Sequence, residues 1–453
     1  VSGVIGAAAG GSGKAIVSSA GTTWRSTGGV LVVGDRGAGI LTVADSANVI
    51  ANDRVEIASE SGTTGTLNIG AAAGDTAGAA GTLQTGAVVF GAGDGSIVFN
   101  HTDSAYVFAP DISGAGGVEV YSGTTILTGT NTYTGGTLIE GGTLRAGAPL
   151  GFADNAAYTV NGGMLDLNGH DLTMSTLSGT GGTIGLGTGR LTISQESDTT
   201  FAGGFTGSGT LTLDRNGRLE LRGTTSAYSG DVRIASGTLA INNAFASGSG
   251  FIGTVTGEDG RVDVTGSAAL WTIDGDLNVG RTGSGALVIS GGGGVNASGK
   301  VAVGSASLSL PAGSITVTGE GSRLSTGTGG SLVIGSIVGS TLAVEIGLPC
   351  LCFLPLRACR LVACAGFVGI NLAINRGRRE TDVRAGQAND TRTIHAPDAV
   401  PKVRALRPLV DVGRLRIQPV EPCDELTVED VVLDRARLER GRERLLLRPL
   451  RRR

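Results

Sequence analysis

Between residues 126 and 147 the chain reads ILTGTNTYTGGTLIEGGTLRAG, short runs in which apolar and polar positions alternate, separated by Gly, Thr and Asn. A period of two is the pattern of half-buried strands, whereas a helix would bring apolar residues back every three to four positions. The pattern returns at 219–241, LELRGTTSAYSGDVRIASGTLAI. From Tyr133 to Ile139 and from Tyr228 to Ile234 the spacing is the same, and Gly-Thr-Leu follows each Ile, starting at Gly142 and Gly237. Only the stretch before the Tyr slips, by one residue between Leu127 and Leu221. A second repeat places Trp24 after Val17 and Trp271 after Val264 at equal spacing, with Leu324 after Val317 as a third copy. Each is followed by a strand that ends in glycine, at Gly34, Gly280 and Gly335. Units this short cannot bury a core alone, so they must stack, and the pattern predicts a β-solenoid.

The alternation also assigns faces. Leu41 and Val43, Leu287 and Ile289, Leu165 and Leu167, and the equivalent Leu144 and Leu239 are expected to point inward, with Asp166 outward. No helical period occurs in 1–347. At roughly 20–25 residues per turn, that stretch predicts on the order of 15 rungs in a rod of about 70 Å, with exposed edges at both ends.

Composition sharpens the picture. The 453 residues include 80 Gly and only 4% aromatic residues, too little bulk for a conventional large core but enough small aliphatic material for narrow stacked ladders. Glycine has no period of three, which excludes collagen. Self-association of an amyloid-like kind is compatible with so much strand. The average hides a boundary near Gly347. Residues 1–347 hold 14 basic and 26 acidic residues and no Cys, a net −12, while 348–453 hold 21 basic and 13 acidic residues and all five Cys, a net +8. An acidic, Cys-free body argues against nucleic acid as a partner and suits a chain that crosses an oxidising compartment unfolded.

The phrase TGTNTYTGGTLIEGGTLRAG resembles the passenger-associated repeat of bacterial autotransporters, the proteins of type V secretion. The resemblance covers most of 1–347. It implies a right-handed parallel β-helix displayed outside the outer membrane and exported through a C-terminal β-barrel, a structural or adhesin-like scaffold whose partners are host or neighbouring-cell surface molecules. The expectation is therefore a non-enzymatic passenger with no catalytic, cofactor-binding or metal-binding residues. Two other classes stay open: a β-helical polysaccharide-degrading enzyme, which outward carboxylates on consecutive turns would favour, and a calcium-stabilised extracellular repeat protein, whose melting would depend on chelator.

Each candidate for chemistry has a plain structural reading beside it. The GGSGK stretch at 10–14 fails as a phosphate loop, since Ala15 follows Lys14 and no strand-loop-helix context exists, and reads as a turn. Gly-x-Gly pairs such as Gly283 and Gly285 lead into strands, so dinucleotide binding is unsupported. Asp166, His170 and Asp171 form the densest set for acid-base work, yet Asn168-Gly169-His170-Asp171 reads equally as a loop. His101 reads as a solvated loop residue. Gly91 to Ile97 is one partial likeness to a calcium nonapeptide, with a single Asp94 that cannot complete an oxygen cage. Trp24 and Trp271 suit sugar stacking in isolation, but their shared place in a repeat points to packing.

The tail reads differently. The stretch 361–373 is too short between charges to span a bilayer, and Cys350, Cys352, Cys359 and Cys364 lack a second pair at zinc spacing. Residues 424–445 carry the pattern of a charged helix, weakened by Gly441. The alternating strands of the family's barrel are not seen, so the translocator is expected to be absent from this chain and 348–453 to be an irregular or disordered, partly helical, frame-shifted or otherwise non-native end. The rival reading is a genuine basic domain.

Overall fold

The computed structural model describes residues 3–304 except 225 and 226, then 313–327 and 330–334, with the strand Thr341–Glu345 and short strands beyond it as backbone only. No helix occurs among these residues. The protein is an all-β parallel β-helix. It divides into two compact units, Val1–Val232 and Arg233–Arg453.

In the first unit most turns consist of three strands, as in Arg54–Ile57, Thr64–Gly70 and Thr82–Gln84. Each strand pairs in parallel with its counterpart one turn on, so identical positions stack into ladders. Val43, Ile69, Phe99, Val120, Ile139 and Val160 are successive register partners and all are fully buried. A second ladder runs Leu144, Leu165, Ile184 and Phe205. These are the inward positions that the two-residue alternation assigns, and Leu41, Leu144 and Leu165 show no exposed surface. The turn length varies: side chains and backbone groups one turn apart are separated by 19 to 21 residues in the middle of this unit, as from Asp154 to Thr173 and from Arg145 to Asp166.

Corners explain much of the glycine. Gly34 closes its strand at φ 82°, and a Cβ there would collide with the Thr64 carbonyl of the next turn. Gly280, its counterpart in the second repeat copy, sits at φ 73°. One corner is turned without a break: Leu172–Ser178 pairs through Leu172 with Leu191 and, past a bulge, through Leu177 with Tyr158, so a single strand passes from one face to the next.

The two autotransporter-like repeats share sequence but not orientation. Tyr133 lies in a strand that extends the sheet Gly3–Ile5, Leu31–Val33, Arg54–Ile57, Ala87–Phe90, Asp111–Gly114. Tyr228 instead extends the sheet that contains the first repeat's own flanking strands, Thr124–Leu127 and Thr143–Ala146. Matching residues therefore sit on different faces, one face apart. Both phenols are buried all the same. Tyr133 Oη lies 2.6 Å from Thr137 Oγ1, while Tyr228 Oη accepts from the Leu211 amide at 3.0 Å and lies 2.9 and 2.8 Å from the carbonyls of Gly209 and Asp231. Burial pushes the Tyr133 phenol up to about 12.

In the second unit parallel strands stack on the same plan. Leu239, Val262, Leu287 and Ile315 stack in one face and Phe245, Trp271, Val295 and Leu324 in another. Its turns are longer than those in the middle of the first unit, with 24 residues between Ser247 and Trp271 and 30 between Gly292 and Ser322. Gly335 falls outside the described residues. Parallel pairing continues to Thr341–Glu345, which pairs with Gly313–Thr318. Every described pair that uses a later residue is antiparallel, such as Leu332–Ile334 with Thr381–Val383. The sequence predicts a helix over 424–445, but Glu425–Thr427 and Asp430–Val432 are strands; Thr427, Val428, Val431 and Val432 are β-branched and favour extended backbone over the helix that the charges suggest. The rest of that stretch, the four cysteines from Cys350 to Cys364 and most of 348–453 lie outside the described residues.

Candidate functional site

The carboxylates of the first unit are arranged by the turn, not as a cluster. At one corner after another an Asp side chain accepts a hydrogen bond from a backbone amide one turn on. Asp111 Oδ1 takes the Thr130 amide at 2.6 Å, Asp154 the Thr173 amide at 2.8 Å, Asp171 the Arg190 amide at 2.8 Å and Asp198 the Arg218 amide at 3.0 Å. Asp276 clasps the Lys300 amide in the same way in the second unit, at 2.8 Å. The chemistry is that of a capping residue: a charged acceptor satisfies an amide that the corner would otherwise leave to water.

This accounts for the densest acid-base set in the sequence. Asp166 points outward as expected, where Oδ2 meets Arg145 Nε of the preceding turn at 2.7 Å and Oδ1 accepts from the Asn168 amide at 2.9 Å. Asp171 Oδ1 accepts from the Arg190 backbone amide, and His170 closes a tight turn by donating its own amide to the Leu167 carbonyl at 2.9 Å. The loop brings the three together in sequence, but their polar atoms serve separate turns. Only the start of the GGSGK stretch is a turn, with Gly11 bonded back to the Ala8 carbonyl at 2.9 Å; Ser12, Gly13 and Lys14 already belong to the strand Ser12–Val17, which corrects the reading of 10–14 as a turn. Asp94 opens a strand, and among the described residues no three His, Cys, Asp or Glu side chains gather to hold a metal.

The two tryptophans pack, as their place in the repeat suggests. Trp271 is fully buried and donates from Nε1 to Ser247 Oγ at 2.9 Å. Trp24 is half-buried in the first described turn, stacked on Val49.

His101 corrects the sequence reading. It is not solvated but fully buried, with Nε2 2.8 Å from Thr125 Oγ1 and Nδ1 accepting from the Asp103 amide at 3.2 Å. Burial holds its imidazole below the ordinary value, partly offset by the Asp103 carboxylate. Its cover comes from elsewhere in the chain, as Gly78 bridges to it, and no signal next to His101 announces that.

An outward group that the sequence reading missed lies on Gly117–Ser122. Glu119 and Tyr121 are two residues apart on one strand, hence on one side, and the phenol donates to Glu119 Oε2 at 2.9 Å. Partial burial, then Glu119, then the Glu140 charge push Tyr121 up to about 12. Alternation at Val118-Glu119-Val120-Tyr121 would have revealed the pair. Glu140 in turn accepts from Asn161 Nδ2 at 2.9 Å, and Asn161 Oδ1 accepts from the Thr180 amide at 3.1 Å, so polar side chains run along this corner from turn to turn. Large apolar side chains exposed elsewhere, including Ile16, Val107, Leu150 and Val255, are scattered.

The two Tyr-centred units are matched by comparison with known proteins. The passenger-associated-transport-repeat family matches residues 121–146 and 205–241. The chain thus carries two repeats of the kind found in autotransporter passengers. Over 59 residues it is 54% identical to the Adhesin BmaC autotransporter of Brucella suis biovar 1 (strain 1330), an alignment that covers 12% of this chain and 2% of the relative. No solved structure matches the chain. Autotransporter passengers are displayed at the cell surface by way of the outer membrane.

Proposed function

We propose that this passenger is a non-catalytic scaffold for adhesion, presenting its outward side chains and corner loops to molecules on host or neighbouring cells. The observation that carries the reading is the use of the carboxylates. Asp111, Asp154, Asp171 and Asp198 are each bonded to a backbone amide one turn away, and Asp166 to Arg145, so the groups an acid-base enzyme would need are engaged in holding turns together. The name of the similar Brucella protein, an adhesin, supports the same class. The test fuses 1–347 to a β-barrel translocator, displays it on a non-adherent bacterium, and measures attachment to host cells and to sister cells. Attachment well above that of the empty barrel is expected, with no turnover of polysaccharide, ester or peptide. Turnover abolished by Asp166→Asn, His170→Asn or Asp171→Asn would overturn the reading.

We also infer that the passenger fold stops near Gly347 and that 348–453 does not continue it, arising from a shifted reading frame. The loss of glycine, the gain of Arg, Pro and Cys, and the end of parallel pairing after Thr341–Glu345 support this. Proteolysis is expected to trim the chain to near Gly347 without lowering the melting temperature of the remainder. A protease-resistant tail, or coding DNA whose other frames around codon 348 show no barrel-like sequence, would count against it.

A further inference from the structure

Outward positions of a solenoid sheet belong to solvent, yet three polar ones in the first unit are buried: Thr42, its register partner Asn68, and, on the turn after, Asn100, which pairs with Gly70 while Asn68 faces Val98. Thr42, Asn68 and Asn100 are 9%, 2% and 2% exposed, although each alternates with inward residues such as Leu41, Leu67 and Phe99. Asn100 is held by the segment 71–80, AAAGDTAGAA, which leaves the strand Thr64–Gly70 and returns to Thr82–Gln84. It is tied on both sides. The amides of Asp45 and Ser46, from the turn before, donate to the Ala79 and Ala80 carbonyls at 2.9 Å each. From the turn after, Asn100 Nδ2 donates to the Ala72 and Asp75 carbonyls at 2.7 and 2.9 Å, the Thr102 amide to Gly78 at 2.9 Å, and the Ala80 amide bonds to Asp103 Oδ1 at 3.3 Å. On the two turns before Asn100, Asn68 Nδ2 reaches Thr42 Oγ1 at 3.1 Å, while Asn68 Oδ1 is buried without a partner.

We propose that 71–80 is a strap latched by neutral His101 and released in acid, uncovering the Asn100 side chain. His101 sits between the two anchors of the strap, at Asn100 and at Thr102 and Asp103. Its Nδ1 accepts from the Asp103 amide, which fixes that nitrogen as unprotonated and leaves Nε2–H to donate to Thr125. A proton on Nδ1 would face the Asp103 amide proton, so the turn 101–103 must open, and with it the bonds from Thr102 to Gly78 and from Ala80 to Asp103. The surroundings contain little to accept a cation. Tyr106 places its ring 5.1 Å away with its phenol kept neutral by burial, Thr125 and Gly123 from the next turn and Gly70 and Gly78 from the strap side bring no charge, and Asp75 contributes only a backbone carbonyl to Asn100. The one opposing charge is the Asp103 carboxylate on the same turn, and desolvation outweighs it, holding the imidazole below its ordinary 6.5. A base whose folded-state value is depressed keeps its full hold above 6.5 and loses it as pH falls below.

Hydrogen exchange of the full chain, corrected for the intrinsic pH dependence of exchange, tests the latch. Between about pH 7.5 and about pH 5 the protection of the Ala80 and Thr102 amides is expected to fall by about tenfold, while the amides of Leu67 and Ile69 keep theirs. His101→Asn should abolish the pH dependence, and Asp103→Asn, which removes the charge favouring the imidazolium, should move the loss to lower pH. Should His101→Asn fail to fold, an NMR titration of the wild-type imidazole decides. Unchanged or greater protection in acid, or His101 titrating at or above 6.5, would overturn the proposal.

Discussion

Replacing Leu144 with Asp is expected to destabilise the first unit by about 3–5 kcal/mol, the cost of leaving a carboxylate buried without a partner. Leu144 is fully buried, and its register neighbours in the next turns are Leu165, Ile184 and Phe205, none of which can donate a hydrogen bond from its side chain. On its other side stands Thr125, the hydroxyl already engaged by His101. The carboxyl would have to stay protonated or drag the turn open. Thr143, next to it on the outward side, should accept Asp with little change. The check is the unfolding midpoint of the full chain by circular dichroism, and a near-neutral Leu144→Asp would refute the inward assignment. Leu239→Asp, within the ladder Val262, Leu287 and Ile315, should behave alike.

Trp271→Ala should cost a similar amount, about 3–5 kcal/mol, through loss of buried surface and the cavity left behind. The indole fills the interior between Phe245 and Val295, lies against Gly250, and satisfies its N–H on Ser247. Truncation empties that space and leaves the Ser247 hydroxyl without its donor. Trp24 occupies the same place in its own repeat copy but is only half-buried, so Trp24→Ala should cost about 1–2 kcal/mol, in proportion to the smaller area removed from water. Thermal melts of the two variants side by side make the comparison. A larger loss at Trp24 than at Trp271 would show that the indoles serve different roles from those their packing gives them.

The ladders were legible in the sequence because alternation is a local signal: Leu41 and Val43, or Leu287 and Ile289, need only their immediate neighbours to be assigned inward. The corner glycines were legible for the same reason, as Gly34 and Gly280 each end a strand. What escaped is whatever one part of the chain does to another. His101 looked solvated because nothing beside it is apolar, and the segment that buries it leaves the sheet more than twenty residues earlier. Asp171 looked like a catalytic candidate because its partner, the Arg190 amide, is backbone and carries no sequence mark. At 424–445 the charges suggested a helix while the β-branched residues among them went unweighed.

The displacement of Tyr228 by one face relative to Tyr133 bears on how such a gene can grow. The shared phrase specifies strand, corner and inward ladder, but it is not tied to one compass direction, since two different faces accept it with its Tyr buried. A duplicated segment therefore need not contain a whole number of turns to be inserted without damage to the core. Gains and losses of copies then act as an angular dial: each event can leave the interior intact while re-aiming every loop that follows, and a lineage can sample new presentations of an unchanged set of loops by recombination alone.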